Sequence, residues 1–342
     1  MRVVITGAAG FLGTRVVELL VEAGHDVRAV GDVPDHVEFG DEVTVVRGDL
    51  RDPDLAERAV AGAEVVCHLA GCHPGELASD QFPAVIAELD VPTGVILHAL
   101  AATGFEGRVV LGSNAEVYGE GRYDCALHGS LRIGRRAAAD LAARQWEPTC
   151  PHCHGAVTPL MIDESAMATP LTAFAASKLH QEHLVDCFTS ERGLVGTSLR
   201  LQNVYGSDVP VGPTAAGVYP LFRRDLSAGR RPRVPEDGSQ RRDFLHVDDA
   251  ARAVMLAITH PTGHHGPVNI SSGKATTLLE LATAMCVTQD ARLWPEVVGT
   301  SRPGEARHLV AAPTLAESVL GFRSEISLAD GLSRSVAPSR RS

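Results

Sequence analysis

The stretch TGAAGFLG, residues 6–13, decides the fold. It joins an apolar run, RVVIT at 2–6, to a segment over 10–24 whose apolar residues recur at helical spacing: Leu12, Val16, Leu19, Leu20 and Ala23. Gly24 marks the end of that helix. Gly7 permits a tight turn, Gly10 lets the backbone approach a pyrophosphate, and Gly13 lets helix and strand close on each other. The helix N-terminus then presents free N–H groups and partial positive charge to phosphates. A glycine triplet alone is a weak signal. Here a strand precedes it and a periodic helix follows, so the reading is a dinucleotide-binding turn.

Further apolar runs follow at DVRAV (26–30), VTVV (43–46), EVVCHL (64–69) and RVVLG (108–112), with helical segments between several of them. Valine-rich strands alternating with helices predict an α/β fold, a Rossmann-type doubly wound parallel sheet covered on both faces. Ligands bind such sheets at the carboxyl ends of the strands. After the second strand come Gly31 and Asp32, and the Asp32 carboxylate suits the adenosine ribose. No arginine follows closely to hold a 2′-phosphate, which favours NAD over NADP. Asp49, in GDL at 48–50, stands either near the adenine or as a solvated strand-end carboxylate.

Residues 1–205 read as the NAD-binding domain and 206–342 as a smaller, partly discontinuous C-terminal lobe for the substrate, where Pro and Gly become frequent and short extended pieces such as GPVNI (266–270) appear. About 241–262 is expected to return to the first domain. Residues 119–170 break the strand–helix alternation and read as an insertion, with a helix-like run RRAAADLAARQW.

Composition narrows the function. The net charge of −11 argues against binding a nucleic-acid backbone. No apolar run approaches the roughly 18 residues of a membrane span, and the first strand begins at once, with no signal-peptide pattern. Seven scattered cysteines suit a reducing, cytoplasmic setting rather than a disulfide framework.

The glycine turn, GDLRD, HLAG (68–71), EVYGEG (116–121), SKLHQE (177–182), LRLQNVYG (199–206), RRDFLHVDDAARA (241–253) and NISSG (269–273) together resemble the extended short-chain dehydrogenases/reductases, in their nucleotide-sugar epimerase and dehydratase group. The resemblance spans about residues 1–325, and the cysteine-bearing insertion looks most like the dTDP-L-rhamnose 4-epimerase branch. It implies bound NAD that takes a hydride from a dTDP- or UDP-linked sugar and returns it. It implies cofactor contacts at Gly7, Gly10, Phe11, Leu12, Gly13, Asp32, Asp49, Leu50, Leu69, Ala70 and Lys178, and a nucleotide-sugar site including Asn203, Arg242 and Arg302. A homodimer formed partly through the Lys178 helix is also implied.

The catalytic set departs from the family. Lys178 fills the lysine position, but Phe174 stands where the family has a tyrosine and Asn114 where it has Ser or Thr. Ser113 is adjacent, yet neighbouring strand residues face opposite ways. Asn114 still hydrogen-bonds a sugar oxygen; Phe174 has no group to move a proton. Loss of a general base costs on the order of 10²–10⁴ in rate. The candidates to replace it are Glu116 and His73, the latter in GCHPGE (71–76) with Cys72 and Glu76. Tyr118 reads as packing or a substrate contact, and His180, two residues from Lys178, as surface. A catalytically silent homologue that binds nucleotide or a partner subunit is the competing reading.

The insertion holds CxxH at Cys125 and His128 and CxxC at Cys150 and Cys153, with His152 and His154 as alternative ligands. Two close pairs of soft or borderline donors suit a tetrahedral zinc, and four protein ligands make it structural. Cys67, Cys187 and Cys286 read as inert core residues.

Overall fold

The valine-rich runs become a sheet whose two faces are both covered. The computed structural model describes residues 1–71, 81–210, 217–289, 292–302 and 304–336. Five early strands are β1 (Arg2–Thr6), β2 (Asp26–Gly31), β3 (Val43–Arg47), β4 (Val65–His68) and β5 (Arg108–Asn114). Two later ones are β6 (Val195–Leu201) and β7 (Gly266–Ile270). Among the described residues they form one seven-stranded sheet, in the order β7-β6-β5-β4-β1-β2-β3, with every pair parallel. The order reverses between β1 and β4, and a crevice opens at such a switch point.

Alternation along each strand sends side chains to opposite layers. Val3, Ile5, Ala29, Val110 and Leu199 pack with Val16 and Leu20 of helix α1 (Phe11–Glu22). Val4, Val66, Val109 and Leu111 pack on the other face with Leu55, Leu100 and Val185. Val185 belongs to helix α2 (Ala173–Arg192), the element that carries Phe174 and Lys178. Thr172 caps α2, its Oγ1 accepting from the Ala175 N–H at 3.1 Å. Because both layers are dry, a one-residue slip of any strand would exchange its two faces, so the register is firmly specified.

Three sequence expectations need correction. GPVNI is β7, an edge strand paired to β6, so the return to the sheet expected over about 241–262 continues to Ile270. The helical stretch Phe82–Ala102 is long and apolar enough, by length and composition, to cross a membrane. It packs instead against the sheet through Ile96, Leu97 and Leu100, and its Asp90 accepts from Ser177 Oγ at 2.6 Å and pairs with exposed His180 at 2.7 Å. Cys67 and Cys286 are buried, but Cys187 is exposed on α2, since its helix position faces away from the sheet.

The C-terminal lobe has its own core, where Tyr219, Phe222 and Leu226 meet Phe244, Leu278, Leu281 and Met285. Phe11, from the start of α1, packs against this cluster and so bridges sheet and lobe beside the glycine turn. The insertion forms a separate three-stranded antiparallel sheet of Arg122–Cys125, Gly129–Arg132 and Thr158–Leu160, with Arg122–Cys125 in the middle. Its helix-like run condenses to one short helix, Ala138–Ala142.

Candidate functional site

A crevice of about 460 Å³ lies at the carboxyl ends of the strands. Its walls bring together Gly7, Gly10, Phe11, Leu12 and Gly13 with Asn114, Glu116, Phe174, Lys178 and Asn203, residues drawn from across the chain. Gly7 adopts φ +69°, and a Cβ there would lie 2.7 Å from the Ala70 nitrogen. A Cβ at Gly13 would collide with the Gly7 carbonyl oxygen. No side chain caps the N-terminus of α1 at Gly10. Its first-turn N–H groups are therefore left for an anionic ligand, and these features fit a dinucleotide pyrophosphate. The Leu69–Ala70 wall is held by Thr6, whose Oγ1 accepts from the Ala70 N–H at 3.2 Å.

Thr6 also meets His68 Nδ1 at 2.7 Å, and His68 Nε2 meets Thr93 Oγ1 at 3.0 Å. The Thr93 hydroxyl donates to Leu89 O, so its oxygen accepts from an Nε2–H tautomer of His68. Burial first, and then the Lys178 charge, lower the His68 pKa to about 3. His68 is thus a neutral strut under the crevice.

Lys178 is buried, and its Nζ donates to Gly112 O at 3.1 Å. The Phe174 ring centroid lies 5.9 Å from that Nζ. Asn114 Oδ1 accepts from the Glu116 N–H at 2.7 Å, which leaves Nδ2 as the amide group available to a sugar oxygen. Ser113 faces the other way, as strand alternation predicts, and donates to Glu182 at 2.5 Å. Glu182 pairs with Arg200 through three contacts of 3.0, 3.2 and 2.7 Å, and both residues are buried. Arg200 stacks 4.7 Å over the Tyr118 ring, whose hydroxyl donates to Asn269 Oδ1 at 2.7 Å. Tyr118 is therefore bound into packing, with its pKa pushed up to about 12, chiefly by burial.

Solvent reaches Glu116 through the crevice although protein crowds the carboxyl closely. That desolvation raises its pKa; the Arg242 charge opposes the shift and Glu305 adds to it. Among the described residues Glu116 is the carboxyl that lines the crevice, with its proton held more firmly than by an ordinary carboxylate.

Other expected residues fall elsewhere. Asp32 is exposed just beyond β2. Asp49 is held by Arg51 at 2.7 Å, which keeps its carboxyl below the usual range, while neighbouring Leu50 is buried against Gly31. Asn203 does line the crevice, but its Nδ2 is committed to Asp243 O at 2.9 Å. Arg242 is buried and donates to the carbonyls of Ala306 at 2.6 Å and Arg307 at 3.1 Å. Arg302 is exposed. Neither arginine lines the crevice. His73, with Cys72 and Glu76, lies outside the described residues. Sequence reasoning passes over Gln202, which lines the same wall directly after β6.

In the insertion, the donor atoms of Cys125, His128, Cys150 and Cys153 all lie within 4.8 Å of one another. His128 Nδ1 is 3.6 Å from Cys125 Sγ and 3.4 Å from Cys150 Sγ, and the Cys125 and Cys153 sulfurs are 3.7 Å apart. A hairpin closed by Cys150 N–H to Gly155 O at 2.9 Å holds the CxxC pair. Desolvation opposes ionisation of Cys150, yet the N–H groups of Cys153 and His152 bring its thiol down to about 6. Donor type and spacing fit a tetrahedral zinc. His152 sits beside His128, ring centroids 5.1 Å apart, and the clustered set uses neither His152 nor His154.

Comparison with known proteins agrees with this geometry. A family model described as "NAD dependent epimerase/dehydratase family" matches residues 3–271. The chain is 27% identical to a dTDP-L-rhamnose 4-epimerase of Burkholderia thailandensis, over 97% of this chain and 93% of that protein. It is 27% identical to a dTDP-glucose 4,6-dehydratase of Streptomyces niveus, over 98% and 92%. A solved structure described as MoeE5 in complex with UDP-glucuronic acid and NAD is 28% identical, covers 98% of each chain, and superposes with a TM-score of 0.78.

Proposed function

Because the chain belongs to the NAD dependent epimerase/dehydratase family, we propose that it acts on a dTDP- or UDP-linked (deoxy)sugar as an epimerase or dehydratase with an altered acid/base set. The observation that carries this reading is the crevice itself, where an uncapped helix N-terminus, Lys178, Asn114 and Glu116 converge. Bound NAD supplies the reversible acceptance of a hydride. Asn114 Nδ2 donates to the sugar oxygen and orients the hydroxyl. As the carbon gives up its hydride, the hydroxyl proton passes to a Glu116 carboxylate oxygen, leaving a keto sugar. Return of the hydride to either face, with the proton given back by Glu116, completes an epimerisation. Lys178 would help to hold NAD by adding positive charge to the crevice wall, and it holds the end of β5 through Gly112. Arg242 and Arg302 are proposed to reach the diphosphate after rearrangement of their present contacts.

The Cys125–His128–Cys150–Cys153 cluster is proposed to hold a structural zinc. Exposed Phe82, Ile86 and Val91, on the helical stretch beside α2, support a homodimer through that face. The competing reading, a silent nucleotide-binding homologue, draws on Phe174 and on the use of Asn114 Oδ1 as a cap. Incubation with dTDP- and UDP-hexoses carrying deuterium at the reacting carbon separates the two. An epimerised or dehydrated product supports the enzyme; binding of nucleotide sugar without product, at an NAD-loaded site, sinks it.

A further inference from the structure

Gln202 follows β6 and forms part of the crevice wall, yet it is only 3% exposed. Its backbone is fixed, the N–H donating to Ile270 O at 3.1 Å. Neither Oε1 nor Nε2 of its side chain has a partner among the described residues. Other buried amides differ: Gln181 donates to Thr93 at 2.5 Å and to Leu89 O at 2.9 Å, and Gln240 donates to Pro235 O at 3.2 Å. Among the described residues Gln202 is the buried amide left unmatched at both ends, and it stands in the crevice wall. Buried polar groups are satisfied in nearly all native structures, so an amide unmatched at both ends in a crevice wall points to a ligand.

Position selects the molecule. Asp32 beyond β2 marks the adenosine side, and the glycine turn at β1 marks the pyrophosphate. A dinucleotide crossing the switch point carries its nicotinamide over β4 and β5 toward β6. Leu201, the last residue of β6, is in register with Asn114 at the end of β5. Gln202 is the next residue. A carboxamide offers one acceptor oxygen and one NH₂ group in a plane, the same set that Gln202 presents. Two such groups pair head to tail with two near-linear hydrogen bonds, whereas a single sugar hydroxyl answers both ends only through two bent ones.

We propose that Gln202 pairs with the carboxamide of the bound nicotinamide, and so fixes which face of the ring is turned toward the sugar. The proposal rests on the dinucleotide reading above, and its test keeps the two apart. Full-length protein stripped of dinucleotide is titrated by calorimetry with NAD and with 3-acetylpyridine adenine dinucleotide. The analogue keeps the acceptor oxygen but replaces NH₂ with methyl. Wild type is expected to bind NAD about 5–10-fold more tightly than the analogue, the worth of one hydrogen bond. In Q202L the NAD affinity falls by about 5–50-fold and the preference for NAD shrinks to within about twofold. Leucine matches the glutamine stem and leaves no orphaned polar atom, so the dinucleotide-free variant should melt no lower than wild type.

Wild-type discrimination below about twofold overturns the proposal whether or not Q202L folds. So does a Q202L protein that keeps NAD affinity and discrimination, or one that loses affinity for a nucleotide sugar alone, which would reassign Gln202 to the sugar. Failure of wild type to bind any dinucleotide overturns the functional reading as well.

Discussion

Replacing Cys150 by serine tests the insertion as a metal centre. A tetrahedral zinc with bonds of about 2.3 Å to sulfur and about 2.0–2.1 Å to nitrogen sets its ligand atoms about 3.5–3.8 Å apart. Three separations within the cluster are 3.4, 3.6 and 3.7 Å. Thiols packed at those distances without a cation would bring partly ionised sulfurs together, so a bound zinc would stabilise the arrangement. At zinc a hundredfold above its dissociation constant, linkage alone contributes about 2.7 kcal/mol. At about 2 °C per kcal/mol for a large domain, removing that contribution lowers the melting point by roughly 5 °C. The assay is metal analysis of gently purified protein, with melting curves for wild type, chelator-treated protein and C150S. One equivalent of zinc, lost in C150S together with the thermal shift, is the expected result. Less than about half an equivalent, with all three melting points within about 1 °C, refutes the reasoning.

E116Q should lower turnover by about 10²–10³-fold. Since the Glu116 carboxyl is raised, wild-type activity should climb with pH through a midpoint above the ordinary carboxylate range, and that limb should vanish in E116Q; a variant with unchanged rate and profile removes Glu116 from the mechanism. F174Y places a hydroxyl on the Lys178 face of α2 and should raise turnover at least about tenfold if proton transfer limits the rate; an unchanged rate in steady-state assays argues that it does not. E182Q strips the buried Arg200 of its charge partner and should cost about 3–5 kcal/mol in denaturant unfolding, a prediction contradicted by a loss under about 1 kcal/mol. Glu147, held by His308 and Arg307, has its carboxyl lowered to about 2 despite partial burial. Its stabilising contribution is present above the unfolded value near 4.5 and is lost as pH falls toward 2, so E147Q should flatten the pH dependence of melting in that window.

How far the sequence carries depends on the range of the interactions that fix each feature. The β1–turn–α1 unit is local, and its glycines, Asp32 and the strand alternation are legible in eight residues and their flanks. Lys178 and Phe174 are legible because helix spacing is local too. The CxxH and CxxC pairs can be read individually, but that His128 and not His152 completes the cluster depends on a hairpin closing against a distant strand. Arg242 shows the opposite failure. Its place in a motif suggests phosphate, while its partners, the carbonyls of residues 306 and 307, lie far along the chain. Gln202 is invisible to motif reading because only packing reveals that its amide has nothing to bond. Phe82–Ala102 misleads by composition, since a helix buried on a sheet and one buried in lipid need the same apolar content.

The insertion and the crevice are not independent parts. Arg307 is fully buried and gathers Glu147 of the insertion at 2.5 Å with Glu236 and Asp237 at 2.8 Å, while its N–H donates to Glu120 at 2.6 Å. Arg136 of the insertion adds two contacts to Glu236, at 3.0 and 2.8 Å. Next along the chain, His308 and Leu309 pair in parallel with Arg241 and Arg242. Burial dominates the Glu116 shift, and of the two charges that modify it Arg242 lies on the strand paired to His308–Leu309 and Glu305 stands two residues before Arg307. Removing one member of such a buried network leaves its partners desolvated and unpaired, which costs far more than an exposed pair. Loosening the Cys125–His128–Cys150–Cys153 cluster should thus reach the crevice through Glu147 and Arg307 and shift the Glu116 titration, even though none of these four residues lines the crevice.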